Sequence, residues 1–455
     1  MKFNASHLLL PLVILFVAGC SRLPVSQEIP PPVPATTQGE LRPPLVVSSV
    51  ADSGPGSLRE AIILANTTPG MDRIQFDSDA DLFHQPQQIT LASPLPEITD
   101  DLLIEGFIND MLWQASGVTL SGNNQYRVFQ VAEAVSTDIR HLTIADGYAD
   151  NGAGILNRGE TILEGVSLLN HSVTQNGGAI HNSGRLWLIN STIASNTAGQ
   201  SGGGLYNHSG QATVTNATFA WNRADQGAAV YNQGEIQIAN SILTGSLIAA
   251  DCTSVSAFDT PAQRNIISRH EGCGSPFSNQ NVQLGQLGYY NGPTRTIPIS
   301  GRSLAVNHGN NRAALGARGD QLVWDQRGNG DPRFTAGITD IGAFEIQARI
   351  VLEVDTLDSS DKRWCTKVED DCSLSGALQI AAASPRLSTI RFQPELFAKP
   401  VTLKLDSGFP DIDHPVVIDA SGVARITISG ADKRWKRPLS EGQLTLKNVR
   451  FSNGS

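Results

Sequence analysis

The sequence predicts an all-β protein, a parallel β-helix in which each coil of chain lies on the one before it. The first observation behind this is a 25-residue beat. Gly152-Ala153-Gly154-Ile155-Leu156-Asn157 returns as Gly177-Gly178-Ala179-Ile180-His181-Asn182, as Gly202-Gly203-Gly204-Leu205-Tyr206-Asn207 and as Gly227-Ala228-Ala229-Val230-Tyr231-Asn232. A fixed period in this range marks stacked units. The second observation is the chain between these motifs, which alternates apolar and polar residues by two, broken by Gly and Asn, with no helical period. The third is composition. With 43 Gly, 6% aromatic and 17% charged residues in a chain of 455, the profile suits a turn-dense solenoid better than a helical domain.

Residues 1–19 read as a lipoprotein signal peptide. Lys2 supplies a positive start, and Leu8 to Ala18 is an apolar run too short to span a bilayer as a mature helix. The run closes in Val17-Ala18-Gly19-Cys20, which resembles a bacterial lipobox. That resemblance implies that Cys20 is lipidated and that the protein is held to a membrane through this lipid. Ser21, rather than Asp, follows; the same resemblance then implies the outer membrane, with the protein facing the periplasm or the surface. Residues 20–44 carry Pro24, Pro30, Pro31, Pro32, Pro34, Pro43 and Pro44 with no apolar period. They read as a semi-rigid extended tether.

Residues 45–345 are the β-helix domain. Gly56-Ser57-Leu58-Arg59-Glu60-Ala61-Ile62 opens an amphipathic stretch to about Asn66, with Leu58, Ile62 and Ala65 on one face and Ala61 beside them. This is a short helix that caps the first coil. In the coils proper, Thr161, Leu186, Ala212 and Ile236 form one inward column and Leu163, Leu188, Val214 and Ile238 a second. Gly165, Asn190, Asn216 and Asn240 follow at a turn, and Leu168, Ile193, Phe219 and Leu243 make a third inward column. Like residues lie above like, about 4.8 Å apart. Asn157, Asn182, Asn207 and Asn232 are a structural ladder: Asn tolerates the left-handed backbone, and its amide bonds the coils above and below. The residues just before them, Leu156, His181, Tyr206 and Tyr231, alternate with inward ones and so point outward. With Trp187 at an outward position nearby, His181, Tyr206 and Tyr231 are candidate ligand-binding residues, since stacked rings offer a platform to a sugar chain. The competing reading is that such rings only stabilise the sheet.

Residues 346–455 repeat the opening of that domain. Cys372-Ser373-Leu374-Ser375-Gly376-Ala377-Leu378 stands where Gly56 to Ile62 stood. Ile74-Gln75-Phe76 corresponds to Ile390-Arg391-Phe392, Ile89-Thr90-Leu91 to Val401-Thr402-Leu403, and Val118-Thr119-Leu120 to Ile426-Thr427-Ile428. Leu142-Thr143-Ile144 corresponds to Val449-Arg450-Phe451. The second copy stops before its Gly/Asn coils, which reads as the start of a second module, truncated. Besides Cys20 the cysteines are Cys252, Cys273, Cys365 and Cys372. Four cysteines allow three pairings; their spacing favours two local bridges, Cys252–Cys273 and Cys365–Cys372, in an export compartment where disulfides persist.

These motifs resemble known families. Ser57 to Ile62, and Cys372-Ser373-Leu374, resemble the Cys-Ser-Leu-Arg-Glu-Ala segment that heads many bacterial β-helix proteins. Gly177 to Ile180, with Ile193-Ala194-Ser195-Asn196 and Phe219-Ala220-Trp221-Asn222, resembles the repeat pair of polymorphic outer-membrane proteins, which are surface adhesins. Asp325 to Arg333, followed by Asp340 to Glu345, resembles the closing segment of β-helix proteins with variable cell-surface anchors. The resemblance implies a right-handed, pectate-lyase-like solenoid.

Function is argued from the residues as well. A charge of −10 and no basic run argue against nucleic acid as a partner. Pectin-degrading hydrolases of this architecture carry Asn-Thr-Asp, an Asp-Asp pair, Gly-His-Gly and Arg-Ile-Lys; of these the Asp-Asp pair alone occurs here, as Asp100-Asp101 before the coils and Asp370-Asp371 in a cap region. Glu160, Glu164, Asp225 and Glu235, the acids of the coils after Asp150, show no common spacing. Asp325, Asn329 and Asp331 are a loosely spaced candidate calcium loop; the favoured reading is a charged closing turn with Arg327 and Arg333. No Cys/His spacing suggests zinc, and no cofactor is implied. The expectation is a non-enzymatic, lipid-anchored envelope protein for adhesion or glycan contact. A polysaccharide lyase or hydrolase is the alternative, and a passive spacer the second.

Overall fold

The computed structural model of the chain describes residues 42–77, 81–106, 117–256, 263–290, 292–328, 331–334, 338–346, 350–363, 365, 370–383, 388–405, 408, 410, 416–430 and 444–452. Three long ladders of short parallel strands wrap a common core, with a fourth, of the two-residue strands Tyr148–Ala149, Ser172–Val173 and Thr197–Ala198, beside them. Within the coil of residues 177–198 the long ladders are represented by Ile180–Asn182 (sheet 1), Arg185–Ile189 (sheet 2) and Thr192–Ala194 (sheet 3). Sheet 1 stacks seven strands from Phe129–Val131 to His270–Glu271, and sheets 2 and 3 stack eight each.

The pairing follows the sequence beat. Thr161 pairs with Leu186, Leu186 with Ala212 and Ala212 with Ile236. Leu168 pairs with Ile193, Ile193 with Phe219 and Phe219 with Leu243. These side chains, with Leu163, Leu188, Val214 and Ile238, are buried in one continuous core. Strand alternation puts them there: every second residue faces inward, and the 25-residue period lays each on its counterpart.

Left-handed residues make the corners. His141, Gly165, Asn190, Asn216, Asn240 and Arg264 form one such column between sheets 2 and 3. Asp146, Asn170, Ser195, Trp221 and Gly245 form another, past sheet 3. The aligned Gly152, Gly177, Gly202 and Gly227 form the third, each with positive φ. At Gly227 a Cβ would come within 2.4 Å of the Val230 carbonyl oxygen, so the turn needs glycine for space as well as for angle.

The expected capping helix is present as α1, Leu58–Thr67, burying Leu58, Ala61, Ile62 and Ala65 on the first coil. Ser57 caps it by accepting from the Glu60 N–H, and Glu60 reaches back to the Gly56 N–H. Beyond the last coil, the described residues of 284–346 run along the outside as a strap. The strap lays Ile297, with Leu284 and Leu287, over Ala145, Leu169, Ala194 and Ala220 on the outer face of sheet 3. It lays Ala314, Leu322 and Phe334 over Ile162, Trp187 and Ile189 on the outer face of sheet 2.

The second module has its own helix, α2 (Leu374–Ala383), its own stacked parallel strands and a separate core. Val118 pairs with Gln87, and its counterpart Ile426 pairs with Val401. Gln87-Gln88-Ile89 therefore corresponds to Val401-Thr402-Leu403, two residues away from the sequence match. The slip keeps the inward face, because strand side chains repeat by two: Ile89 and Leu91 are buried, and so are Leu403 and Leu405. Both expected disulfides, Cys252–Cys273 and Cys365–Cys372, are formed.

Candidate binding face

The outward column of sheet 1 is built by strand register. Gln130, Leu156, His181, Tyr206, Tyr231 and Thr253 occupy successive equivalent positions. Their rings stack along the axis. His181 and Tyr206 lie 5.1 Å apart between centroids, and Tyr206 and Tyr231 lie 5.6 Å apart at 14°. This corrects the expectation of exposed rings. Each tyrosine is only 8% exposed, because neighbouring rings occupy each other's faces. Little flat area remains for a sugar to stack on.

The polar edge of the column is better placed for contact. His208, two residues past Tyr206, is exposed and stacks on the Tyr206 ring at 5.7 Å and 16°. The Tyr206 hydroxyl donates to Gln233 Oε1 at 2.7 Å, and His208 Nδ1 stands 3.1 Å from the same oxygen. Burial, then the neighbouring His208, holds His181 down at about 4. Burial also raises Tyr206 above its ordinary value. Both are therefore uncharged at neutral pH.

The strap takes the other two outer faces. Trp187 was expected as part of the binding set; it does point away from the core, yet it is 4% exposed, packed under the strap with Ala314 and Leu322. The structure thus brings together His181, Tyr206 and Tyr231 and sets Trp187 apart, on sheet 2 beneath another segment.

The asparagine ladder is continuous. Asn157 Nδ2 donates to Asn182 Oδ1 at 2.7 Å, Asn182 to Asn207 at 2.8 Å, and Asn207 to Asn232 at 2.7 Å. The same amides also donate to carbonyls, as Asn207 does to Gly210 and Glu235. These residues sit in strands and are not left-handed. Asn190, Asn216 and Asn240, in the corner column between sheets 2 and 3, are left-handed, and their side chains dock the strap. They donate to the carbonyls of Trp324, Asp340 and Asn310 respectively.

A further interior column was missed in the sequence. His171, Asn196 and Asn222 succeed one another, and each side chain reaches a carbonyl of an earlier coil: Ile144, Leu168 and Ile193. The signal was available in Ile193-Ala194-Ser195-Asn196 and Phe219-Ala220-Trp221-Asn222, because Leu168 to His171 has the same spacing.

Glu160, Glu164 and Glu235 are engaged in structure. Glu160 faces Arg185 at 3.6 Å, Glu164 faces Arg140 at 3.5 Å, and Glu235 accepts from Gln211 at 2.9 Å. In the strap, Arg327 bridges Asp325 at 2.6 Å and Asp331 at 2.8 Å, with its guanidinium 3.9 Å from the Phe344 ring centre. A cation already stands between the two acids of the supposed calcium loop, and Asn329 lies outside the described residues. Among the described residues no group of three or more His, Cys, Asp or Glu converges as a metal site. No described helix is long and apolar enough to cross a membrane, and Cys20 lies outside the described residues. No protein-family model, no curated protein and no solved structure matches this chain.

Proposed function

We propose that this chain is a lipid-anchored protein of the outer membrane whose β-helix makes non-enzymatic contact with an extended glycan along sheet 1. One observation carries the reading. The strap packs on the outer faces of sheets 2 and 3 and leaves to sheet 1 a column with hydrogen-bonding groups along its edge, Tyr206, His208 and Gln233 among them. Coils spaced about 4.8 Å apart repeat such groups at a step close to that of one sugar in an extended chain. Contact in this reading comes from ring edges, hydroxyls and amides rather than from stacking on open ring faces.

A glycan array with the wild type and a Tyr206→Ala/Tyr231→Ala double variant, run beside a thermal melt, tests it. The expected result is bound glycan for the wild type and at least a tenfold loss for a variant that still folds. Equal arrays would remove the column from the binding face. A wild type that binds no glycan would favour the passive spacer, and shortening of glycan during incubation would favour a polysaccharide-processing enzyme.

A further inference from the structure

We propose that His181 and His208 form a two-imidazole site for a first-row divalent transition ion, Cu²⁺ foremost, on the outer edge of sheet 1. The two rings have centroids 5.9 Å apart, inclined at 40°. A ring that ligates at ~2.0–2.1 Å keeps its centre roughly 3.2 Å from the ion, so two rings sharing one ion lie roughly 4.5–6.5 Å apart. The observed separation falls inside that window without movement of either strand.

The ring nitrogens are sorted for this task. His208 Nδ1 stands 3.1 Å from Gln233 Oε1 and 3.3 Å from the Tyr206 hydroxyl; the Tyr206 proton goes to Gln233 at 2.7 Å, and in the ligating tautomer His208 Nδ1 donates to Gln233 as well. The lone pair is then on His208 Nε2. An Nδ1–H held by an oxygen is the arrangement that fixes a metal-binding imidazole and raises its basicity. In His181 it is Nδ1 that is buried, which leaves Nε2 at the ring tip as its ligating atom. Imidazole donors suit Cu²⁺, Zn²⁺ and Ni²⁺, with Cu²⁺ the tightest of the series. Water fills the remaining positions of such a surface site. Gln233 is a positioning residue here; it touches no ion.

The test uses the full chain in a buffer without amines, titrated with Cu²⁺ against a chromophoric competitor, with electron paramagnetic resonance at one equivalent. The expected result is one Cu²⁺ per chain, micromolar or tighter, with hyperfine structure from two imidazole nitrogens. His181→Ala and His208→Ala should each weaken binding at least tenfold, and the exposed His308→Ala should leave it unchanged. Gln233→Ala should weaken it by roughly tenfold while keeping both nitrogens in the spectrum. His181→Gln and His208→Gln serve if an alanine variant fails to fold. Binding that survives loss of both histidines, a spectrum without imidazole nitrogen, or binding only at millimolar Cu²⁺ would each overturn the site.

Discussion

His171 shows how much one interior residue decides. Its Nδ1 accepts from the Gly147 N–H at 2.9 Å, and its Nε2 faces the Ile144 carbonyl at 3.0 Å, which fixes the neutral tautomer. Burial holds its pKa at about 3, against the smaller opposing effect of the Ile144 bond. The unfolded chain titrates near 6.5. Its stabilising share is therefore complete above about pH 6.5 and falls away as pH drops toward 3. Asn performs the same bridge at 196 and 222, so His171→Asn should flatten the loss of stability between pH 6.5 and 3, read by urea denaturation across that range. An unchanged slope would place the acid sensitivity elsewhere. Phe219, fully buried between Ile193 and Leu243, should cost ~3–5 kcal/mol when cut to alanine. A loss below about 1 kcal/mol in equilibrium denaturation would contradict its interior place. Phe219 was legible because period two and period twenty-five agree there. The burial of Trp187 was not, because what covers it is distant in sequence. Tyr206 and Tyr231 were read correctly as outward, but ring packing along the axis has no signature in the residue order.

Among the elements, the coils follow from pattern and the strap does not. Residues 284–346 show no fixed apolar period, so only the structure reveals that they lie on the coils. Their attachment is polar at its centre. Arg333 is fully buried and donates to Asn190 Oδ1 and to the carbonyls of Gly342 and Ala343, with Glu345 at 3.6 Å. Burial pushes Glu345 upward, and Arg333 draws it back. Arg333→Ala should cost ~3–5 kcal/mol, since it removes three buried hydrogen bonds from a charged donor and leaves a cavity where the side chain lay. Limited proteolysis should then cut within residues 284–346 while the coils stay resistant. Cleavage spread evenly over both would show that strap and coils fold as one unit. The paired openings of the two modules were legible in outline, yet the match at Ile89 was two residues off. A period of two cannot distinguish that slip, and the ladder register can.

At the scale of the whole molecule, the proposed anchor sets what the coils can meet. Replacement of Cys20 by serine should abolish metabolic palmitate labelling and release the protein from the membrane fraction, because the lipid supplies ~0.8 kcal/mol per buried CH₂. Undiminished labelling would remove the anchor from the proposal and leave the fold untouched. The strap has one further consequence. Thr294 bonds the carbonyl of Gly165, Trp324 meets Asn190, Asp340 meets Asn216 and Asn310 meets Asn240, which are four consecutive turns of the coil. A solenoid can in principle gain or lose a repeat anywhere along its length. Here an inserted or deleted repeat would displace every later attachment point by about 4.8 Å, and the strap could no longer satisfy them together. The strap is a ruler that has counted the repeats, and it makes this part of the chain a β-helix of fixed length.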